Sequence, residues 1–269
     1  MHHVEESVKV DTSGRQLALT RAGSGGPAVV LENGLGVEAE EWEAIFQEVK
    51  QWTSVCRYDR ANRGHSDPAP KPRSAQDFVA DLHSLLVTAA IPRPVVLVGH
   101  SLGGLIVRLY THQYPQDVAG LVLVDPMHED QFDRIGPLFH PPFPGEPRAL
   151  TQSRSFAIID WRDPAKNEEG VDLLASQAQA HAIDSLGDIP LLVLTSGVFL
   201  REAPPEPAAQ QVAARLQTLW QEMHRELMQQ SSQGTHILVK TSGHFIQREQ
   251  PEIISAAIRQ MLETVWDRS

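Results

Sequence analysis

Cysteine is almost missing from this chain. Cys56 stands alone among 269 residues, which excludes an internal disulfide and with it the stapled frameworks of small secreted scaffolds. Aromatic residues reach only 6%, and the 41% of apolar residues never gather into a run of the roughly twenty that a membrane helix needs. Positive charge is scarce too. The 23 Lys and Arg against 34 Asp and Glu leave a formal net charge of -11, and the basic residues are scattered rather than gathered into a stripe. That balance argues against nucleic acid or an anionic membrane as partner and favours a small neutral molecule. Met1-His2-His3-Val4-Glu5-Glu6 lacks the basic and apolar regions of a secretory signal, which together with the lone cysteine points to the cytoplasm. No His-Glu-x-x-His or paired cysteine set is present, so no metal is expected.

What the chain does have is alternation between short strand-like runs and longer helical stripes, the pattern of a mostly parallel sheet covered by helices. Ser7 to Val10 and Gln16 to Arg21, joined by Thr12-Ser13-Gly14-Arg15, read as an opening hairpin. Ala28 to Leu31, Val55 to Tyr58, Val95 to Val98, Leu121 to Val124, Leu191 to Leu194 and His236 to Val239 are short apolar runs, as strands buried on both faces are. Between them Phe78, Leu82, Leu85 and Leu86 form one helical stripe. Leu102, Leu105, Ile106, Leu109 and Tyr110 form a second, and Ile253 to Val265 a last one opened by Pro251. The count predicts an eight-stranded α/β sheet.

One connection is too long to be a loop. From Pro126 to about Asp188 no strand-like run appears, while Ala149 to Asp160 and Ala165 to Ile183 can each be helical. This predicts a core of residues 1–125 and 188–269 with a helical cap, 126–187, inserted after strand six.

Gly99-His100-Ser101-Leu102-Gly103 follows the strand Pro94 to Val98 and opens the helix from Leu102. A Gly-x-Ser-x-Gly run alone is weak, but this strand-turn-helix setting is the one that lifts a serine hydroxyl above a sheet. The flanking glycines leave room for the tight turn. An alcohol needs a base to become a nucleophile at neutral pH. Among twelve histidines, His244 in Thr241-Ser242-Gly243-His244-Phe245 lies between the last strand and the final helix, at the sheet edge where Ser101 would be exposed. His100 adjoins the serine but points elsewhere, and His236 opens a strand. Gly23-Ser24-Gly25-Gly26-Pro27 lacks the following helix of a nucleotide loop, and Cys56 in a buried strand is expected to be inert. The stripe Val212, Leu216, Leu219, Trp220, Met223 and Leu227 reads as core rather than as ligand contacts.

Val98-Gly99-His100-Ser101-Leu102-Gly103-Gly104, Tyr58-Asp59-Arg60-Ala61-Asn62-Arg63-Gly64-His65-Ser66-Asp67 and Ser242-Gly243-His244-Phe245, in that family's order, resemble the α/β-hydrolases, its serine esterases in particular. The resemblance implies an acid that orients the base, usually placed after the seventh strand. Here that stretch, Leu194 to Glu202, holds no aspartate, whereas the sixth strand ends in Asp125, a site some members use. Asp125 is therefore favoured, with Glu202 and then Glu206 as alternates. The resemblance also implies an oxyanion hole from two backbone N–H groups, here Leu102 after the nucleophile and Leu35 in the loop Asn33-Gly34-Leu35-Gly36. The implied activity is cleavage of a small apolar carboxylic ester through an acyl-enzyme, with no cofactor. Lactone, amide or C–C cleavage on the same groups, or a silent ligand-binding member, are the alternatives. Phe139, Phe143, Phe156, Trp161 and Phe199 are candidates for an apolar pocket or for the inside of the cap.

Overall fold

A computed structural model describes residues 5–139, 141–142, 145–146, 148–199 and 207–267. Each short apolar run becomes a strand. β1 (Glu6–Asp11) and β2 (Gln16–Ala22) form the opening hairpin, followed by β3 (Val29–Glu32), β4 (Val55–Tyr58), β5 (Val95–His100), β6 (Val118–Val124), β7 (Leu191–Ser196) and β8 (Gly234–Val239). They build one eight-stranded sheet in the order β1-β2-β4-β3-β5-β6-β7-β8. Only the pairs β1–β2 and β2–β4 are antiparallel.

The period of two along each strand divides these runs between two cores. Val96, Val98, Val122, Val124, Leu192 and Leu194 face one way, onto α1 (Glu43–Val49) and α9 (Pro251–Trp266). Val95, Leu97, Leu121, Leu123, Leu191 and Val193 face the other, onto α2 (Ala75–Thr88) and α3 (Leu102–Gln113). Each such side chain, removed from water, contributes about 2 kcal/mol. That is why the strands read as unbroken apolar runs rather than as polar-apolar alternation.

Residues 126–187 fall wholly between β6 and β7, and among the described ones lie the α-helices α4 (Gln131–Ile135), α5 (Arg148–Ile158) and α6 (Leu173–Ala180). Phe132 stacks on buried Trp161 at 4.8 Å, and both belong to the same buried cluster as Leu102 and Leu105. The insertion is thus continuous with one core of the sheet. A single helix over 165–183 does not form. Asn167 bonds the backbone of Val171 in both directions, a local side-chain contact that competes with helix. Gly170 turns at φ +67, and only from Asp172, whose carboxylate caps Ala175 N–H, does the chain become helical. Beyond β7, α7 (Pro207–Met228) lies across β7 and β8, and the short α8 (Ile246–Glu249) leads into α9. Among the described residues no helix is long and apolar enough to cross a membrane.

Candidate active site

Six parallel strands end at one edge of the sheet, and residues singled out in the sequence lie at or after the ends of five of them. Asn33 to Gly36 follow β3, Ser101 follows β5, Asp125 follows β6, Ser196 ends β7, and His244 lies in the loop after β8. The carboxyl edge of a parallel sheet, where neighbouring strands part, is where such folds bind ligands.

Ser101 sits at φ 51, ψ -117, a backbone conformation that side chains larger than glycine's rarely adopt. The turn is pinned on both sides. Ser101 N–H donates to Val124 O at 3.1 Å, and Ser101 O accepts from Gly104 N and Met127 N at 2.9 Å each. A Cβ on Gly103 would stand 2.5 Å from Asn33 O, so only glycine lets the helix start so close to the β3 loop.

Asp125, with φ 43, is buried and fully engaged. Its Oδ2 accepts from His244 Nδ1 at 2.7 Å and from Ser196 Oγ at 3.0 Å. Its Oδ1 accepts from Ser196 N at 2.7 Å and Trp220 Nε1 at 2.8 Å. Burial alone would raise this carboxyl, but the hydrogen bond and charge of His244, then His224 and Ser196 N–H, bring it down to about 2. Because a carboxylate can only accept, His244 carries its proton on Nδ1, leaving Nε2 as the ring nitrogen open to a partner. Among the described residues no hydrogen bond joins Ser101 Oγ to the imidazole, although both residues line one cavity. Such contacts commonly tighten only when substrate is bound.

That cavity has a volume of about 390 Å³. Leu35 and Leu102 also reach it, with Leu102 at the first position of α3, where a helix leaves its N–H unpaired. Most of the remaining wall is apolar and comes from the insertion, including Phe132, Ile135 and Phe156, with Trp220 added from α7. Among the described residues its ionisable groups are Asp125 and His244, and no Lys or Arg lines it.

Of the aromatic candidates, Phe139, Phe156 and Phe199 line the cavity, while Trp161 stays inside the insertion. Phe143, Glu202 and Glu206 lie outside the described residues. The reading of the α7 stripe as core holds for Leu216, Trp220, Met223 and Leu227, all buried, and Trp220 in addition reaches the cavity and bonds Asp125. Three further residues make contacts at the site that the motifs do not indicate. His100 Nε2 donates to His244 O at 3.0 Å, tying the His244 loop to the Ser101 turn. Burial and the neighbouring His244 hold its imidazole well below the ordinary range, so it is neutral. Ser196 supplies two donors to Asp125 from the strand end where an acid is usual. His224 donates from Nε2 to Pro126 O at 2.8 Å, bonds Thr195 Oγ at 2.8 Å and stands 3.8 Å from Asp125. Among the described residues no cluster of side chains could hold a metal ion. Cys56 is buried, which pushes its thiol up to about 12.

A doubly wound sheet in this strand order, with a strained serine turn after β5, defines an α/β-hydrolase fold. The chain belongs to the alpha/beta hydrolase family, whose profile matches residues 29–257. It is 30% identical over 213 residues to the uncharacterized protein YqjL of Bacillus subtilis, covering 79% of this chain and 74% of that one. Among solved structures it resembles a thermophilic esterase from Thermogutta terrifontis, with TM-score 0.65 at 22% identity over 97% of this chain and 99% of the other. It resembles the haloalkane dehalogenase DatA of Agrobacterium tumefaciens almost equally, with TM-score 0.64 at 17% identity over 97% of each chain. These likenesses carry the fold, which alone does not select a chemistry.

Proposed function

We propose that this chain is a serine hydrolase that cleaves a small, apolar carboxylic ester through an acyl-enzyme. The observation that carries the reading is the Asp125–His244 contact of 2.7 Å beside a strained Ser101 turn, at the floor of an apolar cavity.

Ser101 Oγ attacks the ester carbonyl while its proton passes to His244 Nε2. The Leu35 and Leu102 N–H groups hold the oxygen that becomes negative. Collapse of the tetrahedral centre expels the alcohol, which takes the proton from His244. Water then attacks the acyl-enzyme with His244 as base, releasing the acid and restoring Ser101. Asp125 fixes the imidazole tautomer and stabilises its protonated form without itself taking the proton. Residues 126–187 act as the cap that shapes the acyl pocket. No cofactor enters this chemistry. Displacement of halide as in a dehalogenase calls for a carboxylate nucleophile, and the residue at the turn is Ser101.

Turnover of p-nitrophenyl esters of graded acyl length, beside a lactone and an amide, tests the reading. Ester hydrolysis favouring apolar acyl groups and lost in folded Ser101→Ala supports it. Full esterase activity in that variant overturns it.

A further inference from the structure

The loop that holds Leu35 is clamped from beneath by one buried arginine. Arg60 donates from Nη2 to Gly34 O at 2.6 Å and from Nη1 to Asn33 O at 2.5 Å. Its remaining N–H groups go to two carboxylates: Nη1 to Glu32 at 2.6 Å, and Nε and Nη2 to Glu169 at 2.9 and 2.7 Å. Every guanidinium N–H is therefore used. Glu169 also accepts from Gly36 N at 2.6 Å, Glu32 accepts from the Tyr58 hydroxyl, and Asn33 Nδ2 donates to Tyr58 O at 2.8 Å. Arg60, Glu32 and Glu169 are all buried.

A buried cluster of one cation and two carboxyl groups is a costly way to hold a fold together, since well-packed apolar residues commonly do it as well or better. The geometry indicates what this one does. In a planar trans peptide the C=O and N–H point in opposite directions. A guanidinium fixed on Gly34 O therefore fixes the direction of Leu35 N–H, on the side away from Arg60, and Leu35 lines the cavity beside Ser101. An amide whose carbonyl accepts from a cation is also polarised, which strengthens its N–H as a donor. Gly36 N–H, one residue beyond, is tied to Glu169, so the Leu35 peptide is held on both flanks.

We propose that Arg60, braced by Glu32 and Glu169, is the positioning residue of the oxyanion hole, setting the Gly34–Leu35 peptide plane and strengthening its donor. Because Glu169 comes from the segment between β6 and β7, the cap and the oxyanion loop are coupled through this ion cluster. This rests on the serine-hydrolase reading above.

The test uses the whole chain with Arg60→Lys, which keeps a charge but offers a single ammonium, and with Glu169→Gln, which keeps the shape but weakens the brace. Steady-state kinetics with p-nitrophenyl butyrate are paired with two inhibitors. A trifluoromethyl ketone adds to Ser101 Oγ: the O–C bond forms, the carbonyl becomes an oxyanion, and the proton moves to His244. The matching methyl ketone occupies the cavity with far less addition. In Arg60→Lys, kcat and trifluoromethyl-ketone affinity should each fall about 10- to 100-fold, with KM and methyl-ketone affinity within about twofold of wild type. Glu169→Gln should show the same split at about 3- to 10-fold, and it carries the test if Arg60→Lys does not fold. Wild-type kcat and trifluoromethyl-ketone affinity in either folded variant overturn the proposal. Equal losses for both ketones do so too, because a merely structural role predicts them. Labelling of the wild type at Ser101 by a fluorophosphonate separates the two levels. An unlabelled wild type sinks the serine reading, whereas a labelled wild type with indifferent variants sinks only the role of Arg60.

Discussion

His244 Nδ1 donates to Asp125 Oδ2 across 2.7 Å, although the two residues stand 119 positions apart in the chain. The contact arises because β6 and β8 end at the same sheet edge with β7 between them, and β7 contributes donors there instead of an acid. Asp125→Asn should therefore lower kcat about 10³- to 10⁴-fold, by removing the charge and offering an amide where four donors converge. Glu202→Gln should leave the rate within about twofold. Steady-state kinetics on the two variants check this, and the reverse ranking would move the acid to Glu202.

Trp220 is both a wall of the cavity and a donor to Asp125 Oδ1 at 2.8 Å. Trp220→Phe keeps most of the apolar surface and deletes that N–H. We expect kcat to fall about fivefold, with KM for short esters nearly unchanged, since one of the bonds fixing the carboxylate is lost. A change in KM alone would mean that Trp220 acts only as a wall.

Among the described residues no Lys or Arg lines the cavity. A carboxylate on the acyl chain would lose hydration there without gaining a partner. The p-nitrophenyl hemisuccinate should accordingly show kcat/KM at least about tenfold below that of the butyrate. Equal rates would place the acyl group outside this cavity.

His224 gives the fold an acid-side weakness. Its burial outweighs the attraction of Asp125 and holds the imidazole down to about 4, whereas an unfolded histidine titrates near 6.5. Between those values the unfolded chain binds a proton that the folded chain refuses, so stability falls as pH drops from about 6.5 to about 4, by about 3 kcal/mol. Asp125 acts further down. Its carboxyl is at about 2 when folded and about 4 when unfolded, so its contribution is full above about 4 and lost as pH falls towards 2. Urea midpoints near pH 7 and near pH 4.5 should differ for the wild type and differ less for His224→Gln. A wild-type midpoint unchanged between those pH values would contradict the assignment.

The middle of the sheet was legible in the sequence because β3 to β7 are buried on both faces. Runs such as Val95 to Val98 and Leu121 to Val124 need no partner to be read. Ser101, Asp125 and His244 were legible because each directly follows a strand or sits in a loop at the strand ends. The contacts of Trp220, His100 and Arg60 were not. Trp220 fits an apolar helical stripe in which facing Asp125 or facing Leu216 leaves the same spacing. His100 reaches His244, 144 residues away, and Arg60 reaches Glu169, 109 away. Such pairings follow from strand order and from the path of the insertion, which local spacing does not encode. The insertion was also where helix limits went astray, since Asn167 and Gly170 break an otherwise helical stretch through their own side-chain and backbone geometry.

Whether Ser101 is an activated nucleophile is tested most directly by the mass of the folded protein after brief treatment with a fluorophosphonate. One adduct per chain is expected, located on the peptide containing Ser101, absent in Ser101→Ala and strongly slowed in His244→Ala. A folded wild-type protein that stays unmodified, or an adduct that persists in Ser101→Ala, would contradict that role.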